Sequence, residues 1–107
     1  MPGHVENLTL TPFSHNISVH WMRPIEDSYC VTHYVIYWVH GVSGSNGSDN
    51  VTSEEDSYVI GDLDACVEYE VSVIAMNEEN NSSIAATNIT TTETVGNSHA
   101  CIILLYL

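Results

Sequence analysis

Lysine is missing from this chain of 107 residues, and Arg23 is its one strongly basic side chain against 14 Asp and Glu. With a formal net charge of −13 there is almost nothing to neutralise a phosphate backbone, so nucleic acid is not expected as a partner. The same shortage disfavours anionic membrane surfaces and removes the P-loop, which needs its lysine. The longest apolar run, Cys101 to Leu107, is far short of the roughly 18 residues of a membrane span. Met1-Pro2-Gly3-His4 has neither a charged n-region nor an apolar h-region, so no secretion signal is read within the chain. Also absent are a Gly-x-Ser-x-Gly elbow, a His-Glu-x-x-His motif, a phosphatase-type Cys followed by a loop and Arg, and a Cys/His pair at zinc spacing. No catalysis, cofactor or metal is expected.

The apolar fraction is 44% and charged residues make up only 14%, which separates this chain from an acidic disordered tail. A chain of this length forms one domain and buries roughly two-thirds of its unfolded surface.

Seven of the nine asparagines begin an Asn-x-Ser/Thr triplet: Asn7, Asn16, Asn46, Asn50, Asn80, Asn81 and Asn88. With 21 Ser and Thr in the chain, about two such triplets would arise by chance. The excess points to a glycoprotein that is extracellular or at the cell surface, a fragment of a longer membrane or secreted protein. Any membrane association is then expected only through parts outside this stretch. Asn80 and Asn81 overlap, so one glycan is expected from that pair.

Helical periodicity is absent, whereas period-two alternation recurs between turn clusters. Ile17, Val19 and Trp21 alternate with Ser18, His20 and Met22, and Pro24 with Glu26-Asp27 ends that strand. Val31 to Val39 reads as a continuous strand, Tyr58-Val59-Ile60 as a short one. Tyr69, Val71, Val73 and Ala75 alternate with Glu68, Glu70, Ser72 and Ile74. Asn7 to Thr11 and Ile84 to Thr92 complete the set, while Gly41 to Asn50 is a loop by composition. Six or seven strands at this density predict an antiparallel β-sandwich.

The combination Val5-Glu6-Asn7-Leu8, Ile17-Ser18-Val19-His20-Trp21-x-x-Pro24, Tyr34-Val35-Ile36-Tyr37-Trp38, Ile60-Gly61-Asp62-Leu63 and Tyr69 through Asn77 resembles a fibronectin type III domain. The resemblance implies an all-β, seven-stranded, immunoglobulin-like antiparallel sandwich over residues 2–94, with 95–107 a tail outside the domain. It implies structural roles for Trp21 and Tyr34 in the core. Tyr69 would form a tyrosine corner whose hydroxyl bonds the backbone close to Leu63. Asp64 stands where the family commonly has proline.

In that arrangement Cys30 opens one strand at one end of the sandwich, and Cys66 lies in a turn roughly 20 Å away, beyond a disulfide's reach. Cys66–Cys101 is geometrically open, as are free thiols or partners on a neighbouring domain. His4, His15, His20, His33, His40 and His99 read as surface histidines. Asp49, Glu54, Glu55, Asp56, Asp62 and Asp64 lack the offsets of an EF-hand and read as a solvated rim that steers a basic partner.

The alternation puts Val35, Tyr37 and Val39 on the outer face of one strand and Ile74 and Met76 on that of its neighbour, where they are expected to cluster as a protein-binding stripe. It also puts Asn7, Asn16 and Asn88 outward and Asn46, Asn50, Asn80 and Asn81 in loops. The expected role is an interaction and spacer module of a cell-surface receptor or adhesion glycoprotein, of the kind found in tandem in receptor-type tyrosine phosphatases. Its partners would be a protein ligand and neighbouring domains of the same chain. The alternatives are the ligand-binding domain of a cytokine-type receptor, which lacks here its Trp-Ser-x-Trp-Ser element, and an accessory module of a secreted enzyme.

Overall fold

The computed structural model describes residues 5–24, 31–77 and 86–93. Cys30, Asn80, Asn81, Cys101 and the 95–107 tail fall outside them. Seven strands follow one another: β1 (Glu6–Pro12), β2 (Ile17–Met22), β3 (Val31–His40), β4 (Asn46–Thr52), β5 (Ser57–Ile60), β6 (Glu68–Asn77) and β7 (Ala86–Thr91). They form two antiparallel sheets, ordered β1-β2-β5 and β4-β3-β6-β7, with no helix among the described residues.

Period two decides which side chains meet between the sheets. Ile17, Val19 and Trp21 of β2 are buried, and so are Tyr34 and Ile36 of β3, Ile60 of β5, and Tyr69, Val71, Val73 and Ala75 of β6. Trp21 and Tyr34 meet across the core with ring centroids 5.4 Å apart and planes tilted by 60°. Each such side chain removed from water contributes about 1.5–3 kcal/mol, so the facing rows of β2, β3 and β6 hold the sheets together.

The polar contacts concentrate at the end where β6 begins. The Tyr69 hydroxyl accepts a hydrogen bond from the Asp64 N–H at 2.9 Å while its ring stays in the core. Buried Thr92 closes the same turn from β7: its hydroxyl donates to the Asp64 carbonyl (2.6 Å) and accepts from the Val67 N–H (3.0 Å). His15 and Leu63 exchange a backbone bond of 2.9 Å, and His15 Nδ1 lies 2.8 Å from the Leu63 carbonyl. Leu63 is thereby held as a buried plug.

The composition of Gly41 to Asn50 predicts a loop, which holds for Gly41 to Ser45 and is corrected beyond it: Asn46 to Thr52 is β4, paired with β3 from Val39↔Asn46 to His33↔Thr52. Ten-residue β3 offers a long open ladder, and pairing with it outweighs the turn preferences of the individual residues. Gly47 is required there by the packing, since a Cβ would fall 2.6 Å from the Trp38 ring. Gly41 is equally constrained, because a Cβ would lie 2.6 Å from the Glu68 carbonyl oxygen that receives the Gly41 N–H.

Cys66 has a left-handed φ of 60° in the turn before β6 and is disulfide-bonded. Its partner lies outside the described residues. Cys30 is one peptide bond from Val31, which pairs with Asn77, whereas the other end of β3, His40, pairs with Tyr69 close to Cys66. A strand of that length spans about 30 Å, several times the reach of a disulfide. Peptide mapping under non-reducing conditions is therefore expected to recover Cys66 linked to Cys101; a Cys30–Cys66 linkage would contradict the β3 register. Tyr69→Phe leaves the Asp64 N–H without its acceptor, and urea unfolding is expected to show a loss of about 1–2 kcal/mol with an unchanged m-value.

Candidate functional site: the outer face of the four-stranded sheet

The register of β4, β3, β6 and β7 lays out the outer face row by row. Val35 of β3 stands opposite Asn50 of β4 on one side and Ile74 of β6 on the other. The next row carries Ser48, Tyr37, Ser72 and Thr87, and the one after it Asn46, Val39, Glu70 and Ile89. At the far end His33 faces Thr52 and Met76. The five apolar side chains read from the sequence thus lie on one face, in successive rows of β3 and β6. Val35 and Ile74 share a row, Tyr37 lies in the row on one side of it and Met76, beside His33, in the row on the other, and Val39 is set against Glu70.

Exposure divides them further. Tyr37 is exposed at 38%, while Val35, Val39, Ile74 and Met76 are half-buried by their own neighbours. Ile89, which the sequence pattern does not single out, is 52% exposed and directly opposite Glu70. Its only signal in the sequence is a phase: β7 must be read in step with β6, and then Thr87, Ile89 and Thr91 face outward. That phase also corrects Asn88, which simple alternation places outward. Asn88 pairs with buried Val71, and its Nδ2–H donates to the Leu8 carbonyl of β1 at 3.3 Å. Because β7 is an edge strand, a polar side chain in the inward row still reaches solvent.

The remaining sequons differ in what their amides already do. Asn7, in the bulged β1 with φ 50°, donates to the Met22 sulfur at 2.9 Å. Asn16 is exposed just ahead of β2. Asn46 and Asn50 are exposed strand residues on the outer face of β4, and neither side-chain amide has a hydrogen bond among the described residues.

Trp38, Asp49 and Tyr58 close the open side between the two sheets beside β4. Trp38 and Tyr58 stack with centroids 6.2 Å apart, and the Tyr58 hydroxyl donates to Asp49 Oδ2 at 2.6 Å. The carboxylate receives a second bond from the Asn50 N–H. These bonds hold the Asp49 carboxyl below its ordinary range, led by the Tyr58 contact. The same contact, with help from partial burial, pushes the Tyr58 hydroxyl up to about 12. At the opposite corner His40 Nδ1 accepts the N–H groups of Val42 and Ser43, so Nε2 carries the proton and donates to Asp64 at 3.0 Å. A cleft of about 150 Å³ lies there, lined by residues including Trp38, His40, Asp62 and Tyr69. No group of three His, Cys, Asp or Glu positioned to hold a metal occurs among the described residues.

The family model described as fibronectin type III domain matches residues 3–93. The fold is similar to the FN5 domain of Drosophila Lar at 18% identity and a TM-score of 0.73, over 89% of this chain and 100% of that one. The fn3 domain of human collagen alpha-1(XX) is similar at 24% identity and a TM-score of 0.74, over 92% and 91%. In the chicken CNTN1 FN1–FN3 structure the likeness reaches a TM-score of 0.77 at 20% identity, over 88% of this chain and 32% of that one. None of the curated proteins matches the sequence.

The Asp49–Tyr58 bond has a pH signature. Tyr58 is raised in the folded chain, so its contribution is complete below the unfolded tyrosine value of about 10 and is lost as pH climbs through about 12. Asp49 is lowered, so its contribution is present above the unfolded carboxylate value and disappears as pH falls through the depressed one. Burial also raises the Tyr34 hydroxyl, so absorbance titration at 295 nm is expected to find more than one late-ionising tyrosine, of which Asp49→Asn returns only Tyr58 toward the ordinary value.

Proposed function

The chain belongs to the fibronectin type III family, and from that premise we propose that it is an extracellular interaction and spacer module of a cell-surface receptor or adhesion glycoprotein. The observation that carries this reading is the outer face of β4-β3-β6-β7. Tyr37 and Ile89 stand exposed there, with Val35 and Ile74 half-buried beneath and beside Tyr37. A large aromatic at the centre of a sheet face, ringed by serines and threonines, has the make-up of a contact patch: an anchoring aromatic inside a polar rim. The acidic side chains Glu68 and Glu70 lie at one end of that face, which favours a partner with basic groups at the matching edge. Seven sequons support an extracellular location.

A domain of this kind works beside others in one chain, as the three domains of the CNTN1 structure do. In this reading residues 3–93 supply the folded unit, and 95–107 lie outside it.

The test is a photo-crosslinking residue placed at Tyr37 in the protein displayed on cells. Illumination is expected to give discrete protein adducts from Tyr37. The same probe at Val59, more open to solvent than Tyr37 and on the outer face of the other sheet, is expected to give none. Equal adducts from the two positions, or none from Tyr37, would overturn the assignment of this face.

A further inference from the structure

We propose that Asn50 carries an N-linked glycan whose first sugars lie across the outer face over Val35, and that this sugar sets how much of the apolar row is open to a partner. Four observations converge on Asn50.

The first is direction. Along β4, Val51 packs toward the core, Gly47 lies under the Trp38 ring, and the Asp49 carboxylate meets Tyr58 of the other sheet, so 47, 49 and 51 face inward. Asn46, Ser48, Asn50 and Thr52 therefore face out. The acceptor amide and the Thr52 hydroxyl of its triplet share one exposed face, which a two-residue spacing on a strand guarantees.

The second is register. Asn50 is directly opposite Val35, and Val35 opposite Ile74. Adjacent strands are about 4.8 Å apart, so the two N-acetylglucosamines of an N-linked core cross β3 and reach β6. A pyranose ring has an apolar C–H face and a polar rim. Val35 and the flank of Tyr37 suit the first, and Ser48, Ser72 and His33 suit the second. Asn46 looks instead onto Val39 and the Glu70 carboxylate, a poorer surface for a sugar's apolar face.

The third is availability. Asn7 and Asn88 commit their amides to Met22 and the Leu8 carbonyl, whereas the Asn50 side chain is exposed and has no hydrogen bond among the described residues. The fourth is room. A groove of about 340 Å³ opens beside Asn50, lined by Thr32, His33, Asn50, Val51 and Thr52.

The chemistry requires a lipid-diphosphate-linked oligosaccharide as donor. Asn50 Nδ2 forms a bond to the anomeric carbon of the first sugar, and the bond from that carbon to the diphosphate oxygen breaks. The lipid diphosphate leaves with the electron pair, and Nδ2 gives up one proton to the transferase base. A neutral amide and a neutral sugar result.

The gating half of this proposal rests on the reading of the face as a contact surface; the covering half does not. The experiment separates them. The full chain is secreted from a glycosylating cell and compared as made, after endoglycosidase trimming, and as Asn50→Gln and Thr52→Ala. Hydroxyl-radical footprinting with mass spectrometry reads Asn50 occupancy and the labelling of Tyr37 and Met76. Labelling of both is expected to rise about threefold in Asn50→Gln and in Thr52→Ala, and by a smaller factor after trimming, which leaves the first N-acetylglucosamine on Asn50, while Phe13 and Val59 stay constant. An unoccupied Asn50, or labelling that ignores the sugar, would overturn the proposal. The enzymatic arm alters no residue, so a variant that misfolds does not spare it. Crosslinking from Tyr37 is expected to increase in Asn50→Gln. If footprints change and crosslinks remain absent, the contact face fails and the cover stands.

Discussion

Side chains alternate along a strand, so a register that suits the core also fixes everything on the other surface. The pairing of β3 with β6 carries this constraint for the whole molecule. Tyr34 beside Ala75 and Ile36 beside Val73 give the inner face to which β2 brings Trp21. One residue over, the same ladder sets Val35 against Ile74 and Tyr37 against Ser72 on the outside. A slip by one position would expose the core row and bury Glu70, so the outer face is held as tightly as the core itself. β4 and β7 inherit their registers from this pair, and with them the positions of Asn50 and Ile89.

The core was legible in the sequence because every inward position of β2, β3 and β6 is apolar and every neighbour is polar, charged or part of the outer row. The tyrosine corner was legible too, through the family resemblance that Leu63 and Tyr69 help to carry. What escaped was at the edges. β4 has the composition of a turn, Asn-Gly-Ser-Asp-Asn-Val-Thr, with Val51 its only large apolar side chain directed inward. Its strand exists because β3 is long and Gly47 makes space for Trp38, neither of which is a local property. β7 misled for a related reason. An edge strand half-open on both faces tolerates Asn88 in the inward row and Ile89 in the outward one, so polarity no longer reports direction.

The charge imbalance acquires a geography. Glu68 and Glu70 lie on the outer face of β6, Asp62 and Asp64 on the turn that Tyr69 and Thr92 fasten, and Glu54 to Asp56 between β4 and β5. Asp49 differs from these, since its carboxylate has a structural post at the open side of the sandwich. The described carboxylates are thus kept off the middle of the outer sheet, where Val35, Tyr37 and Ile74 lie.

Two contacts along the outermost strands bear on how the fold takes load. The Leu8 carbonyl receives Asn88, and the Phe13 carbonyl receives the Glu93 N–H, so β1 and β7 run side by side in the same direction. The chain therefore comes into the described fold at one pole and goes out at the other. Tension drawn between those poles pulls β1 along β2, and β7 along β6, parallel to their own axes. Antiparallel ladder bonds lie across that direction, so they share the strain and fail together rather than peeling singly. A chain strung from such units would meet tension with stiffness first and yield only in whole-domain steps.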